Sequence, residues 1–364
     1  MIATARSYVR SYLKFFIYPI LLITVLLLTY LPAMRSPTPN DIQIGMAGPA
    51  EMVTPLAEAF EQGAAGAYEV VILPDAATAR AAVEERDLSA VLVLTASGED
   101  RAAGDPYWNS TTLPEPMQES AGVIYIAAAA SPVLATAGMV PLQSLAAQMG
   151  LPVMVRDLVP LDDNDLAGNG QMWFTLAVTM AGYVGVTMLG SIAPDLLRFR
   201  TLIKALPVYG LVMGVITSLV LGFVFDSLSM KLLPLVITSV LNVTAVGLGA
   251  ALITRIVGGL ATLVVMFVFM GIGLTSSGAA IPHQMVPAFY RFFNPIMPYG
   301  ATSRSVRDIM YFDNAGLWQN WLVLAAWIVA MSAGLLLLNR WKPEPEPGPT
   351  VVSERGVSAV PVAA

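Results

Sequence analysis

Two pairs of identical, adjacent acidic residues are the residues whose types and spacing come nearest to a catalytic pattern. They are Glu84 with Glu85 and Asp162 with Asp163. Two carboxyl groups that reach the same bond can act as general acid and general base in hydrolysis. Consecutive side chains of a helix or strand, however, point in different directions. We therefore interpret both pairs as surface charges.

The sequence also lacks the motifs of other kinds of catalysis. It contains neither the G-x-x-x-x-G-K-[ST] loop that cradles the phosphates of ATP nor the G-x-S-x-G motif of a serine nucleophile. There is no cysteine, and His283 is the single histidine, so a thiolate nucleophile and a multi-histidine metal site are excluded. We interpret His283 as a hydrogen-bonded structural residue. The sequence thus predicts no catalytic residue, no cofactor and no metal in this chain.

The composition is that of a protein that spans a membrane. Hydrophobic residues make up 56% of the chain, charged residues 12%, and the mean hydropathy is +0.69, whereas soluble domains carry about 25% charged residues. A helix needs about 20 apolar residues to cross the hydrocarbon core. Apolar runs of this kind lie at 15–34, 172–193, 206–225, 232–253, 256–275 and 318–339. They predict six transmembrane helices, five of them within a transmembrane domain at 172–339.

The first run, 15–34, has two interpretations. Arg6, Arg10 and Lys14 precede it, as basic residues precede a cleaved signal peptide. Its apolar part exceeds the usual length of about 7–15 residues, and no clear cleavage site follows. We therefore expect an uncleaved anchor, with residues 1–14 as an interfacial segment on the cytoplasmic face.

Lysine and arginine predict the orientation, because short loops that carry them stay in the cytoplasm. Most of the basic residues around the six runs fall on one side of a six-helix arrangement: Arg6, Arg10, Lys14, Arg198, Arg200, Lys204, Arg255, Arg340 and Lys342. Both termini are then cytoplasmic in a plasma-membrane protein, and segments 35–171 and 276–317 lie outside. Arg291, Arg304 and Arg307 are exceptions to the rule, because they would face outward.

Residues 35–171 have a different composition from the apolar runs. The segment holds 18 of the 25 acidic residues against five arginines and no lysine. Its hydrophobic periodicity predicts strands at 42–48, 68–74, 88–95 and 122–130 and helices at 51–62, 75–86 and 141–150, with a charged loop at 99–120. Asp75 is expected to cap the second of these helices. The order predicts a small acidic α/β domain, inserted outside the membrane between the first and second helices.

The stretch SSGAAIPHQMVPAFYRFFNPIMPYGATSRSVRDIMY, residues 276–311, is interrupted by prolines that prevent a continuous helix. We expect short re-entrant or interfacial helices at the outer surface, with Asn294 capping one and Arg307 with Asp308 bridging neighbours. A structural lid is preferred over a substrate-binding site. The residues that define this outer re-entrant motif are Gly278, Pro282, Pro287, Asn294, Pro295, Pro298 and Arg307.

This stretch resembles the segment before the last helix of ABC-2-type export permeases, particularly the branch related to the phage infection protein. The shared pattern is S-G-x-x-x-P, then N-P-[LI]-[LM]-P, then [LV]-R. Residues 158–185 resemble the start of that branch's second helix, although Leu166 stands where a proline is common. Residues 75–94 resemble part of its extracytoplasmic domain, although the strand at 88–95 lacks a terminal proline.

The resemblance implies the transmembrane subunit of an ATP-binding-cassette exporter, driven by a separate ATPase subunit on the cytoplasmic face. It implies pairing with a second copy or a similar permease in the lipid, and nothing points to nucleic acid. In the family, the loop at 193–207 would be the coupling helix that docks on the ATPase, here through Arg198, Arg200 and Lys204. An ordinary basic topology anchor explains that loop equally well. Uncharged spans suggest an apolar or amphiphilic substrate.

A function of another class stays open beside this one. The chain could be a non-transporting envelope scaffold or receptor, anchored in the membrane, whose extracytoplasmic α/β domain binds a partner. The last segment, 340–364, alternates proline and glutamate and is expected to be a disordered cytoplasmic tail.

Overall fold

One part of the chain is a five-stranded mixed sheet with helices on both faces. The computed structural model describes residues 39–64, 66–94, 122–192, 197–225 and 231–341, together with 20, 23, 24 and 27. The elements of the α/β part are β1 (Ile42–Ala47), α1 (Ala50–Gly63), β2 (Tyr68–Leu73), α2 (Ala76–Glu84), β3 (Ala90–Leu94), β4 (Gly122–Ile126), α3 (Pro132–Gln148) and β5 (Val153–Asp157). The strand order is β2-β1-β3-β4-β5; β3 and β4 are antiparallel and the other neighbours are parallel.

The central strands are apolar along their whole length because both faces of the sheet are covered. In β3, Leu92 packs with α1 and α3 on one face, while Val91 and Val93 pack with α2 on the other. All five residues of β3 and of β4 are buried. The core of this domain therefore consists of two apolar layers separated by the sheet.

The predicted strands and the first two predicted helices are confirmed within a few residues. Asp75 caps α2 as expected, since its Oδ1 accepts a hydrogen bond of 2.7 Å from the backbone N–H of Thr78. Strand β5 was not predicted, and the loop at 99–120 lies outside the described residues. The acidic region therefore folds as the predicted α/β structure, with one strand more than predicted.

The helix predicted at 141–150 is wrong at its start, because α3 begins nine residues earlier. Ser131 caps it and Pro132 occupies its first turn, where a missing N–H is harmless. Pro141 sits inside the helix and leaves the carbonyl of Ala137 without its usual partner. The hydroxyl of Tyr68 donates to that carbonyl at 3.1 Å, so a side chain from β2 replaces the lost bond.

The other part of the chain is helical. Its elements are α4 (Gly170–Ile192), α5 (Phe199–Phe225), α6 (Leu232–Val257), α7 (Ala261–Met266), α8 (Gly273–Ser276), α9 (Ala288–Phe293), α10 (Pro298–Tyr311) and α11 (Leu317–Trp341). The stretches Gly170–Gly190, Phe199–Phe223, Leu232–Val257 and Leu317–Trp341 are long and apolar enough to cross a membrane. The chain is thus a helical membrane protein with a small α/β region.

Four of the six predicted spans correspond to these helices. The span predicted at 15–34 lies outside the described residues except for 20, 23, 24 and 27. The run at 256–275 is not one regular helix: a 3-10 turn (Gly258–Leu260) precedes α7, and a π-helical turn (Phe267–Ile272) joins α7 to α8. Its apolar helical stretch, Ala261–Ser276, is shorter than the four long helices. Gly258, with φ +67°, ends α6 and allows the chain to reverse.

Helix α6 is the centre of the helical part. It packs against α4, α5, α10 and α11 and is largely buried, whereas α5 and α11 expose apolar side chains along their outer faces. Helices α5 and α6 touch closely, because a Cβ added to Gly210 would lie 2.8 Å from the Cα of Val240. Within the buried layer, Asn242 donates to Thr179 at 3.0 Å. Small residues and internal hydrogen bonds therefore fix this packing.

The helix ends are grouped at two levels. At the end near the α/β domain, Lys231 before α6 pairs with Asp313 before α11 at 2.9 Å. At the far end, Arg255 of α6 donates to Asn339 of α11. Helices α6 and α11 therefore run in the same direction. We call these levels the domain-side end and the far end.

Candidate functional site

A polar cavity of about 690 Å³ lies at the junction between the α/β domain and the domain-side end of the helices. Residues after α2 form one wall, and residues of the proline-rich stretch and of α10 form the other. The charged and amide side chains in its lining are Asn40, Asp41, Gln43, Arg86, Asp87, His283, Gln284, Arg291, Asn294, Arg304, Arg307, Asp308, Gln319 and Asn320. The outer re-entrant motif therefore faces the α/β domain across this cavity.

Arg86 joins the two parts of the molecule. It follows α2 in the left-handed conformation, with φ +69°, which non-glycine residues adopt rarely. Its Nη1 donates to Asp308 Oδ1 at 2.5 Å and its Nη2 to the carbonyl of Ala315 at 3.3 Å. Its guanidinium also lies 4.4 Å from the ring centroid of Phe312. These contacts fasten the end of α2 to the loop between α10 and α11.

Asp308 is the carboxylate at the centre of this junction. Its side chain is 1% exposed, and besides Arg86 it accepts a hydrogen bond of 3.0 Å from Asn320 Nδ2. Burial raises the pKa of Asp308 above its ordinary value, while the positive charges of Arg86 and Arg307 oppose that rise. The ion pair and the amide together offset part of the cost of removing this carboxylate from water.

A chain of hydrogen bonds extends from Asp308 along the proline-rich stretch. Arg304 Nε donates to Asn320 Oδ1 at 2.9 Å, and its Nη1 approaches the carbonyl and the side-chain oxygen of Asn294, both at 3.3 Å. Asn294 in turn donates from Nδ2 to the carbonyl of Ser276 at 2.7 Å. The network links the end of α8, the end of α9, α10 and α11. It holds the cavity wall in one arrangement.

Arg307 differs from Arg86 and Arg304. Its guanidinium lines the cavity yet makes no hydrogen bond or ion pair with any residue that the structure describes. Burial lowers the pKa of Arg307 to about 10, with a further contribution from the charge of Arg86, while Asp308 opposes the shift. The guanidinium of Arg291, on α9, likewise has no hydrogen-bond or ion-pair partner among the described residues.

The lining of the cavity carries more positive than negative charge near α10. Asp308 is the acidic side chain whose charge acts on Arg304 and Arg307. The other two carboxylates in the lining, Asp41 and Asp87, are exposed on the α/β wall. The charge of one buried carboxylate therefore acts on Arg304 and Arg307, while the carboxylate itself is paired with Arg86.

The structure confirms that prolines divide 276–311 into short helices. Pro287 precedes α9 and Pro298 is the first residue of α10, while Pro282 leads into a 3-10 turn (His283–Met285). Gly278, at φ +76°, adopts a left-handed conformation in the cavity lining, and Pro295 is exposed between α9 and α10. The glycine and prolines of the motif thus shape the backbone of the cavity.

Two sequence predictions about this stretch are wrong, and a third holds in another form. Asn294 does not precede α10, which Met297 does; it is the C-terminal cap residue of α9, and its amide joins the hydrogen-bond network. Asp308 pairs with Arg86, not with Arg307, since adjacent side chains on a helix diverge. His283 makes no side-chain hydrogen bond with a described residue; partial desolvation, then the charges of Arg304 and Arg291, lower its pKa.

The predicted ATPase-coupling residues lie at the far end. Arg200 and Lys204 are exposed on the first turns of α5, one turn apart, and border a shallow groove with Val208 and Val212. Arg198 immediately precedes α5. The basic part of the predicted coupling loop is thus continuous with a long apolar helix, and residues 193–196 lie outside the described part of the chain.

The paired carboxylates do not converge on a reaction centre. Glu84 pairs with Arg80 on the surface of α2 at 2.8 Å, and Asp162 accepts a backbone hydrogen bond from Asn164 at 2.9 Å. Within the described residues, no group of three His, Asp or Glu side chains is placed to hold a metal ion. Comparison with known proteins found no matching family model, no matching curated protein and no matching solved structure.

Proposed function

We propose that this chain is the membrane-spanning subunit of an ATP-driven exporter in the plasma membrane, which moves an apolar or amphiphilic substrate out of the cytoplasm. A separate ATPase subunit supplies the energy, and a second copy or a similar permease completes the pathway. In this proposal the chain crosses the membrane six times. The α/β domain lies outside, and both termini lie in the cytoplasm.

The observation that carries the proposal is the separation of two surfaces at opposite ends of the helices. At the domain-side end, a cavity lies between the α/β domain and the short helices α9 and α10. At the far end, basic side chains gather at the start of α5 and at the end of α11. The positive-inside rule favours the cytoplasm for the far end and the exterior for the cavity.

The far-end surface is suited to contact with a soluble subunit. Arg200 and Lys204 project from one face of α5, beside the exposed side chains of Val208 and Val212. A surface of this kind combines apolar contact with charges that select the partner. Helix α5 is continuous from this surface to the domain-side end. In this proposal, movement of the ATPase subunit shifts the basic first turns of α5, and the helix transmits that shift to its other end.

Purification with a tag in mild detergent tests the partnership. We expect an ATP-hydrolysing subunit to co-purify with the wild type and to be lost from a variant with Arg198, Arg200 and Lys204 changed to Ala. Arg340→Ala is the matched control, because it removes an exposed charge from the same end without touching α5. Retention of ATPase activity by the triple variant would remove the coupling role from these residues.

Single introduced cysteines test the orientation without background, because the chain has no cysteine of its own. Asp87→Cys, in the α/β domain, should react with an impermeant maleimide in intact cells, whereas Arg340→Cys should react only after lysis. The opposite pattern would invert the proposed topology. If the topology holds but no ATPase co-purifies and envelope proteins are recovered instead, the scaffold or receptor function replaces the exporter.

A further inference from the structure

We infer that the junction cavity binds the anionic head group of an amphiphile, a phosphate or carboxylate, through the guanidinium groups of Arg307 and Arg291. As a statement about an exporter's substrate, the inference rests on the proposed function. As a statement about binding, it rests on the cavity alone.

The first argument is the charge left over in the cavity wall. Arg86 and Arg304 already have protein partners: Arg86 binds Asp308, and Arg304 binds Asn320 and Asn294. The charge of Asp308 also acts on the guanidinium of Arg307. This guanidinium has no hydrogen-bond or ion-pair partner among the described residues. The side chain of Arg307 is only partly buried, and an anion in the cavity would supply the acceptor that its N–H donors lack among the described residues.

The second argument is the chemistry of the free groups. Guanidinium presents a planar fork of N–H donors that fits phosphate and carboxylate oxygens in a bidentate manner. Arg307 on α10 and Arg291 on α9 bring two such forks to one cavity from two different helices. The charges of Arg291 and Arg304 also act on His283, another residue of the cavity lining. The positive potential therefore extends along the cavity wall as far as His283.

The third argument concerns the size and the further polar groups of the cavity. A volume of about 690 Å³ lies within the range of roughly 300–1,000 Å³ that is typical of small-molecule sites. Gln284 also lines it, and its Oε1 is buried without a hydrogen-bond partner in the described structure. An acceptor of this kind suits a hydroxyl group on the ligand, such as those of glycerol or sugar head groups.

The fourth argument favours an amphiphile over a small soluble anion. Helix α9 carries Arg291 in the cavity lining and, beside it, Phe289 and Phe292, which are 56% and 71% exposed. Exposed aromatic rings at the end of a membrane-spanning bundle occupy the level of lipid head groups. Arg291 and the two exposed rings lie on the same short helix, so a ligand can place its charge in the cavity and its tail against α9.

The test uses the purified full chain in detergent, with retained lipid measured by native mass spectrometry. The probes are phosphatidylglycerol, phosphatidylcholine and inorganic phosphate, the last followed by the shift of the apparent Tm. We expect retention of phosphatidylglycerol at least about tenfold above phosphatidylcholine, with little effect of phosphate alone. Equal retention of the two lipids together with a clear shift of the apparent Tm by phosphate would show that the site binds a small anion and not an amphiphile. Equal retention of the two lipids without a shift by phosphate would show that the cavity is not an anion site.

Variants connect the binding to named residues. Arg307→Gln and Arg291→Gln should each lower phosphatidylglycerol retention about tenfold, and Arg307→Lys should restore part of it because the charge remains. Arg340→Gln, the same change at the far end, should leave retention unchanged. Arg291 is partly exposed, so Arg291→Gln is informative even if Arg307→Gln does not fold. Selective retention that survives both variants would overturn the assignment.

The exporter and the binding site fail separately. Selective lipid retention without any co-purifying ATPase would keep the anionic site and remove the exporter. A co-purifying ATPase without any preference between the lipids would keep the exporter and remove the anionic site.

Discussion

Replacing Arg86 with Gln removes the ion pair, the hydrogen bond and the ring contact that join α2 to the loop between α10 and α11. We expect the α/β domain to lose its anchorage while its own sheet stays folded. The reason is that Arg86 lies outside both apolar layers of that domain. The measurable effect is a lower apparent stability of the whole chain.

The size of the effect follows from burial. Breaking a buried ion pair by removing one partner costs about 3–5 kcal/mol. Asp308 is 1% exposed, but Arg86 keeps 28% of its side-chain surface in solvent, so we take the lower limit, about 3 kcal/mol. For a cooperative unit of about 150–250 residues, this corresponds to a decrease in apparent Tm of roughly 6–12 °C.

The assay is thermal unfolding in detergent at a fixed heating rate, followed by tryptophan fluorescence. Glu84→Gln is the control on the same helix, because its i,i+4 pair with Arg80 is partly exposed and such pairs contribute about 0.3–0.5 kcal/mol. Asp308→Asn and the double variant with Arg86→Gln complete a double-mutant cycle. Additive effects in that cycle, or an Arg86→Gln variant as stable as Glu84→Gln, would refute the reasoning.

Three further changes test other parts of the structure by the same assay. Asp165→Ala should cost about 1–2 kcal/mol, since this carboxylate accepts the backbone N–H of Asn169 at 2.8 Å and that of Gly170, the first residue of α4, at 2.7 Å; exposed Asp163→Ala should be neutral. Gly210→Ala should cost about 1–3 kcal/mol because its methyl group meets the backbone of α6, whereas Gly63→Ala meets nothing within 4 Å. The lowered pKa of His283 means that its contribution to stability is present above pH 6.5 and is lost as the pH falls through its folded-state pKa. The decrease in Tm from about pH 8 to about pH 5 should therefore be smaller in His283→Gln.

The strands and helices of the α/β domain could be predicted where the apolar pattern and the capping side chains indicated the same boundaries. β1 to β4 are apolar runs bounded by turn residues, and Asp75 marks the start of α2 by its own side chain. β5 was missed because VMVRD is short, ends in two charged residues and is only half-buried at the sheet edge. The start of α3 was missed because Pro141 reads as a first-turn residue until the hydroxyl of Tyr68 is known to bind Ala137.

Only one of the two walls of the cavity could be predicted from the sequence. Its helical wall follows from the prolines and arginines of one short stretch, which the sequence displays together. Its other wall depends on Arg86, which lies 222 residues from Asp308 along the chain. No local pattern marks Arg86, because its left-handed backbone and its distant partner are both products of the tertiary fold.

In the proposed six-span arrangement, the short helical stretch Ala261–Ser276 leaves a difference in length that the surrounding lipid must absorb. At 1.5 Å per residue it extends about 24 Å, whereas a hydrocarbon core is about 30 Å thick, and its π-helical turn shortens it further. Hydrophobic mismatch of this kind thins the adjacent bilayer. The polar segment after α8 lies at the domain-side end, so in this arrangement the thinning falls in that leaflet, beside α9. Head groups there would lie nearer the level of Arg291, at the mouth of the proposed head-group site.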